Sequence, residues 1–407
     1  MAGEGFAIED IEIRGNEKTK PEIIIRALPL EIGDTLSAQL VEQSKIALDR
    51  TRLFTTIHVA SRPGTKPEHA VLVVFVVEKR FGDLGVSVEY TELDGFGVAA
   101  DAYHVNLAGE GKIAGVSWGA GERFKQWRFT YADPWLTRAN LLFSLEVSGS
   151  SADRDLFRAK DPLERGRYDL ERIGGRISLG KAIGDARILA RYAYEEVQVG
   201  AYTRPTVVTD QGEFADEIGN SVGRESLAYI GLELHGSTST EPHGTIPGHE
   251  YRATVDLSSK YLGSSDTFLK IGAEAFRHLA VKDSQILSLG VRTGIILGSE
   301  PFYERFYLDD RRQLRGFERR EIGPEGGEEF VLAEVLYSIP FHRVGRAYAF
   351  IEGATVRRDF VTGSRADQGG TLGIGVILFN RVDISLGMGT GTLIIKSHRF
   401  GGINVGL

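Results

Sequence analysis

"YRATVDLSSK", residues 251–260, sets Tyr251, Ala253, Val255 and Leu257 on one side of an extended chain and Arg252, Thr254, Asp256 and Ser258 on the other. Successive side chains of a β-strand point to opposite faces, so a period of two is the signature of a strand. "RVDISLGMG" sets Val382, Ile384, Leu386 and Met388 against Arg381, Asp383 and Ser385, and "QWRFTYADPW" does the same with Trp127, Phe129 and Tyr131. From Phe81 onward no helical period survives, and turn signals cut the chain into about sixteen such segments, each able to supply the roughly 9–11 residues of a membrane strand. Two folds share this pattern. In a soluble sandwich the apolar face is the core and the charged face is wet; in an outer-membrane barrel the apolar face meets lipid and the polar face lines the lumen. Period alone does not separate them. The number of segments, their length and an even count favour the barrel, and Tyr90, Tyr103, Trp135, Tyr261 and Tyr348, near strand ends, are then expected in interfacial girdles.

The bulk composition narrows the classes. The 407 residues carry a formal net charge of −8, which argues against a dedicated nucleic-acid binder. The absence of cysteine excludes disulfides, thiolate metal sites and cysteine nucleophiles, and suits an exported bacterial protein. Fifty glycines without a collagen-like period indicate many turns. The longest apolar run, Ala70 to Val77, falls far short of the ~18–20 residues of a spanning helix, a limit that does not apply to closed barrels. The opening "MAGEGFAIEDIEI" has neither a basic nor an apolar targeting region, as in a chain that stays inside the cell or in a mature or truncated form.

Residues 1–80 read differently from residues 81–407. "FAIEDIEIRGN" alternates Ile8, Ile11 and Ile13 with acids and ends in a turn. Thr19, Pro21 and Glu22 spell a capping box with proline in the first helical turn, and Ser37 is the expected cap of a second helix with Leu40, Val41, Ser44, Ala47 and Leu48 on one face. Two strands follow, "LFTTIHVASR" and "HAVLVVFVVEKR". The order β-α-α-β-β defines a small α+β domain with three strands, so two sheet edges stay open and two helices cover one face.

"IEDIEIRGNEKTKPEIIIRALPLEIGDTLS…LDRTRLFTTIHV" resembles a POTRA domain in the order of its Gly-Asn, Thr, Gly-Asp and Leu-Phe. "NLAGEGKIAGVSWGAGERFKQWRFTYADPWL" resembles the first barrel strands of the POTRA-bearing outer-membrane assembly and secretion superfamily, the bacterial surface antigen family, to which BamA, TamA and two-partner secretion transporters belong. "LRGF", Leu314–Phe317, matches that family's sixth extracellular loop, and "AYAFIEGATV" matches its F-x-[DE]-G strand. Three departures stand out: Asp309, Asp310, Arg311 and Arg312 precede the motif in place of small residues, Glu352 replaces the commoner Asp, and the chain ends in Leu407 in place of an aromatic. The fold this resemblance implies is a transmembrane β-barrel of about sixteen antiparallel strands behind one POTRA domain. The implied location is the bacterial outer membrane, with the POTRA domain in the periplasm. The implied function is inserting, translocating or anchoring polypeptides, with outer-membrane lipid and unfolded or extended clients as partners and no nucleic acid, enzymatic activity, cofactor or metal. One variant resembles the translocator barrel of patatin-like type V autotransporters; a passive pore or receptor and a soluble β-rich enzyme are the other readings.

The segment "FYLDDRRQLRGFERREIGP", residues 306–324, concentrates Arg311, Arg312, Arg315, Arg319 and Arg320 in an acidic chain. By the resemblance the loop folds back into the lumen, where a buried Arg315 needs a carboxylate, since isolated burial of a charge costs several kcal/mol. Glu352, on the strand motif, is the matching partner; Gly316 permits a tight turn and Phe317 wedges against the wall. Asp309, Asp310, Glu318 and Glu321 balance the flanking arginines, which read as a solvated or lumen-facing network, with a ligand or phosphate site as the alternative. "GVSWG", Gly115–Gly119, fits a nucleophile elbow, but no helix follows Ser117. His235, His243 and His249 lack the spacing of a helix or hairpin metal site, and glycines 369, 370, 373 and 375 form no phosphate loop because a strand continues from them.

Overall fold

The computed structural model describes residues 5–91, 95–137, 141–156, 166–204, 212–238, 247–282, 284–308, 314–317, 322–341, 345–358, 366–378, 382–389 and 393–399. The first unit runs β1 (Ala7–Arg14), α1 (Pro21–Ala27), α2 (Ala38–Arg50), β2 (Phe54–Pro63) and β3 (His69–Glu78). Its sheet has the order β1-β3-β2, with β3 parallel to β1 and antiparallel to β2. Ser37 caps α2 by accepting from the Leu40 amide at 3.1 Å, and Val41, Ser44 and Leu48 turn inward. The helices cover one face of the sheet: Val74 and Val76 are fully buried, whereas Phe75 and Val77 on the other face are exposed.

The capping box does not form. Lys20 is the N-cap of α1 and makes no side-chain cap bond, while Pro21 opens the helix. Thr19 is instead buried, and its hydroxyl accepts from Asn106 Nδ2 at 2.8 Å. Proline's fixed φ already starts the helix. The hydroxyl is therefore free for a tertiary partner.

The second unit is one 16-stranded antiparallel meander in which every strand pairs with its neighbour in sequence. Its strands are β4 (Gly82–Thr91), β5 (Gly95–Leu107), β6 (Lys112–Gly121), β7 (Phe124–Asp133), β8 (Leu141–Asp155), β9 (Arg167–Ile183), β10 (Ala186–Thr203), β11 (Gly223–Ser237), β12 (Gly248–Ser258), β13 (Phe268–Lys282), β14 (Gln285–Gly298), β15 (Glu329–Phe341), β16 (Gly345–Arg357), β17 (Ala366–Leu378), β18 (Val382–Met388) and β19 (Leu393–Arg399). A short helix, α3 (Gly212–Asn220), lies between β10 and β11. Among the described residues no helix is long and apolar enough to cross a membrane, which says nothing of strands.

Burial across this sheet is inverted relative to a water-soluble protein. Leu84 (70% exposed), Val88 (69%) and Ile351 (66%) stand on the open face. On the opposite face Arg191 pairs with Glu233 at 2.6 Å and Asp256 at 2.7 Å, and Arg172 with Glu195 at 2.7 Å. Charge is covered and apolar surface is open.

Two of the aromatics expected in girdles are elsewhere. Tyr348 is buried beside Arg315, and Trp135 packs against the core of the small domain. An aromatic near a strand end reads the same in sequence whichever face it occupies. Tyr261 is fully exposed, and the side chain of Tyr90 lies outside the described residues.

The small domain is tied to the turns joining β5 to β6 and β7 to β8. Lys20 N donates to Gly109 O at 2.9 Å, and Arg26 Nη1 to Trp135 O at 2.9 Å. A Cβ at Gly109 would stand 2.1 Å from Lys18 O, and its φ is +74°, so only glycine allows this approach. Glu110 joins Lys112 at 2.7 Å and Lys20 across the seam, and hydrogen bonds from Lys112 and Lys20 hold its carboxyl down to about 2, from an ordinary 4.5. A depressed carboxylate stabilises the tie fully above its ordinary value, and that contribution is lost as pH falls from there toward 2. Label-to-label distances between the domain and the β5–β6 turn, in this cysteine-free chain, are expected to stay fixed from pH 7 to 5 and lengthen below about 4. Glu110→Gln should abolish that pH step.

Candidate functional site

The register of β15, β16 and β17 places Glu334, Glu352 and Thr371 side by side. Two carboxylates directly opposite on adjacent strands repel, so the wall presents a site that requires a cation. Leu314–Phe317, from the segment linking β14 to β15, supplies it. Arg315 Nε donates to Glu352 Oε1 at 2.5 Å, the Arg315 amide donates to Oε2 at 2.8 Å, and Nη2 lies 3.6 Å from Glu334 Oε2. The guanidinium lies 4.0 Å over the Phe350 ring and 5.5 Å from that of Tyr348. The Thr371 hydroxyl donates to the Arg315 carbonyl. Glu352 is only 3% exposed, so side chain and backbone of one residue together neutralise and hydrogen-bond a buried charge.

Glycines make the approach possible. Gly316 has φ +82°, and a Cβ there would stand 2.6 Å from Thr371 Cγ2 and 2.9 Å from Gly389 N. Beneath it, a Cβ on Gly387 would meet Gly316 N at 3.0 Å, and one on Gly369 would meet the Phe317 ring at 2.9 Å. Phe317 fills the resulting depression, buried with Leu314, Ile322, Phe330, Leu332, Ala354 and Val356. A Cβ on Gly373 would likewise sit 2.5 Å from the Phe350 ring that supports the guanidinium.

The structure thus brings together Arg315, Gly316, Phe317 and Glu352. Arg311, Arg312, Arg319 and Arg320 lie outside the described residues. Sequence reasoning missed Glu334, Phe350, Tyr348 and Thr371, although Glu334 leaves a signal: it is a lone acid in phase with Phe330, Leu332 and Leu336 along β15. Ser117 sits in the middle of β6, paired with Asp101 and Arg128. His249 Nε2 lies 3.0 Å from Asp185, and among the described residues no three potential metal ligands converge.

A small α+β domain, a long meander with its apolar face open, and a loop arginine docked on buried carboxylates together define a POTRA-bearing outer-membrane β-sheet protein. The model of the Omp85 superfamily domain matches residues 106–393, and that of POTRA, the surface antigen variable number repeat, matches residues 6–80. The chain belongs to the Omp85 superfamily, as an outer-membrane protein whose POTRA domain is periplasmic. It is 22% identical over 326 residues to the outer membrane protein assembly factor BamA of Nitratidesulfovibrio vulgaris, covering 79% of this chain and 39% of that protein. With BamA of Neisseria meningitidis serogroup B the identity is 22% over 362 residues, covering 83% and 44%. The chain therefore spans less than half the length of these relatives. Its fold resembles BamA from Haemophilus ducreyi lacking POTRA domains 1–3 (TM-score 0.68, 15% identity, 97% of this chain and 83% of that one). It also resembles CdiB from Escherichia coli (TM-score 0.67, 13% identity, 97% and 75%).

The site's geometry distinguishes substitutions that look conservative. Gly316→Ala incurs about 1–2 kcal/mol from the left-handed backbone alone, with the contacts to Thr371 and Gly389 added. Arg315→Lys keeps the charge but loses the paired geometry and ring stacking, a loss of about 1–3 kcal/mol. Both should open the loop to protease in the folded protein. Gly353→Ala, on the open side of β16 with nothing within 4 Å of its Cβ, should leave protection unchanged.

Proposed function

We propose that the 16-stranded sheet closes into a barrel across the outer membrane, its apolar face in lipid and its polar face lining the lumen. Leaving the exposed apolar side chains in water would forgo about 1.5–3 kcal/mol for each fully buried one, so this face calls for an apolar solvent. The inverted burial of the two faces is the observation that carries the reading. Residues 1–80 then form the periplasmic domain, residues 81–407 the barrel, and Arg315, Gly316, Phe317 and Glu352 hold the loop inside as a lumen plug.

The barrel inserts, translocates or anchors polypeptides, and its clients reach it as extended segments added to the edge of the POTRA sheet. The two edges differ. The outer edge of β1 is partly occupied, because Ile8 N donates to Asp34 O at 2.9 Å and Leu36 N to Phe6 O at 2.8 Å. β2 is the other edge strand and pairs with β3 on one side. Membership of a superfamily that includes assembly factors supports this reading. The docked loop weighs against a permanently open passive pore, which would need the lumen vacant.

Photo-crosslinkers placed along β2 should trap nascent outer-membrane polypeptides, whereas those along β1 near Phe6–Ile8 or on the exposed face of α2 should not. Heat-modifiable migration on gels is the control that the barrel is folded. Trapping confined to α2 would sink edge addition, and a water-soluble monomer folding without detergent would sink the barrel.

A further inference from the structure

We infer that Arg52 of the small domain and Arg187 of β10 form a carboxylate-binding site where the two domains meet, taking an acidic side chain or the terminal carboxylate of a polypeptide paired with β2. The inference deepens the edge-addition reading above and rests on it. Arg187 is the second residue of β10, next to the turn from β9. Its register partners are Ala182 on β9 and His235 on β11. It lies in phase with Arg191 on the polar face, while Ile188 stands exposed on the other. On that polar face Arg172, Arg176, Arg191 and Arg252 each meet a carboxylate. Among the described residues the partly buried Arg187 meets none, and its guanidinium makes no hydrogen bond. The nearby acids are committed: Glu233 to Arg191 at 2.6 Å and Arg252 at 3.3 Å, and Asp185 to His249 Nε2 at 3.0 Å.

Arg52 comes from the other domain. It follows Thr51, the C-cap of α2, with φ +57°, the left-handed backbone usual for glycine just past a helix end. Glycine would turn the chain there with less strain, so what the arginine adds is charge. That charge acts on Arg187, and the charge of Arg50 acts on Asp185, so the end of α2 lies beneath the β9–β10 turn. Lys79 N donates to Leu53 O at 2.9 Å, which sets a third cationic residue beside the same bend. The helix dipole accounts for Arg50 in the last turn of α2 but gives no reason for Arg187. Two guanidinium groups in one field repel each other, and an anion held between them cancels the repulsion and accepts their hydrogen bonds. The position selects a polypeptide. β2 begins at Phe54, two residues after Arg52, so a strand added to its edge has one end beside Arg52 and continues toward Arg187. A lipid headgroup would have to leave the apolar face and pass behind the wall to reach the same place.

The test uses the full chain in phosphatidylcholine nanodiscs and a synthetic Thr/Val peptide matched to the ten residues of β2, blocked at both termini and carrying either Asp or Asn at each end. Photo-crosslinkers stand at Ala182, beside Arg187, and separately along β2. Arg52→Gln, Arg187→Gln, the double variant and Arg187→Lys are each first shown to fold by heat-modifiable migration. At Ala182 the Asp peptide is expected to be captured at roughly 10-fold lower concentration than the Asn peptide, the worth of one charge-assisted hydrogen bond. That preference should shrink in each Gln variant, vanish in the double, survive in Arg187→Lys and weaken with added salt, while capture of the Asn peptide on β2 stays constant throughout. Equal capture of the two peptides at Ala182, with capture on β2 intact, overturns the carboxylate site and leaves edge addition standing. Asp-selective capture at Ala182 without capture on β2 upholds the site and overturns edge addition. Capture at neither position overturns both. If the double variant loses retention of added phosphatidylglycerol and shows no change toward either peptide, the two arginines hold a lipid phosphate and the inference is overturned.

Discussion

Glu352 carries its charge at 3% exposure, beside a second carboxylate on the next strand, and the architecture around Leu314–Phe317 answers that one constraint. A buried carboxylate without a partner is strongly destabilising, and two abreast are worse. Arg315 satisfies the pair with both guanidinium and backbone amide, which forces the chain to arrive close and at a fixed angle. Gly316 then has to turn with positive φ against Thr371, and the glycines at 369, 387 and 389 have to leave room below. Phe317 closes the arrangement by filling the space that those glycines vacate. Gly369 in β17, Gly387 in β18 and Gly389 just beyond it are thus the imprint of a docked loop.

Covering charge on one face and exposing apolar residues on the other has a second consequence. The polar face cannot be left to water alone, because its arginines and carboxylates are paired in a belt that runs from Arg176–Glu146 through Arg191–Glu233–Asp256 to Arg315–Glu334–Glu352. Such a belt makes each wall residue depend on its neighbours across strands, so rigidity is distributed around the sheet. The small domain joins this framework through backbone and side-chain bonds to two turns, which sets its orientation beneath the strands. In the proposed function, a client added to β2 is thereby presented at a defined position relative to the barrel mouth.

Much of the fold was legible because its signals are local. The period of two in residues 251–260 and the β-α-α-β-β order of residues 1–80 both depend on near neighbours in the chain. The misreadings have the opposite character. Thr19 looked like a helix cap because Glu22 stands three residues on, yet its partner Asn106 is 87 residues away. Tyr348 looked like an interfacial aromatic because nothing local marks which face it occupies. The pairing of Arg315 with Glu352, 37 residues apart, came from family resemblance; spacing alone did not supply it. Glu334 escaped notice because a single acid on an alternating strand reads as solvated until the register sets it against Glu352.

The central claim is that a buried, coupled Arg315–Glu352 pair holds the loop against the wall. A double-mutant cycle of Arg315→Ala and Glu352→Ala, read as protease access to residues 314–317 in folded protein, tests it most directly. Each single change leaves an orphaned charge and should cost about 3–5 kcal/mol of docking, while the double should cost clearly less than the sum. Strictly additive losses would mean that the two residues act independently, and the docked pair would have to be abandoned.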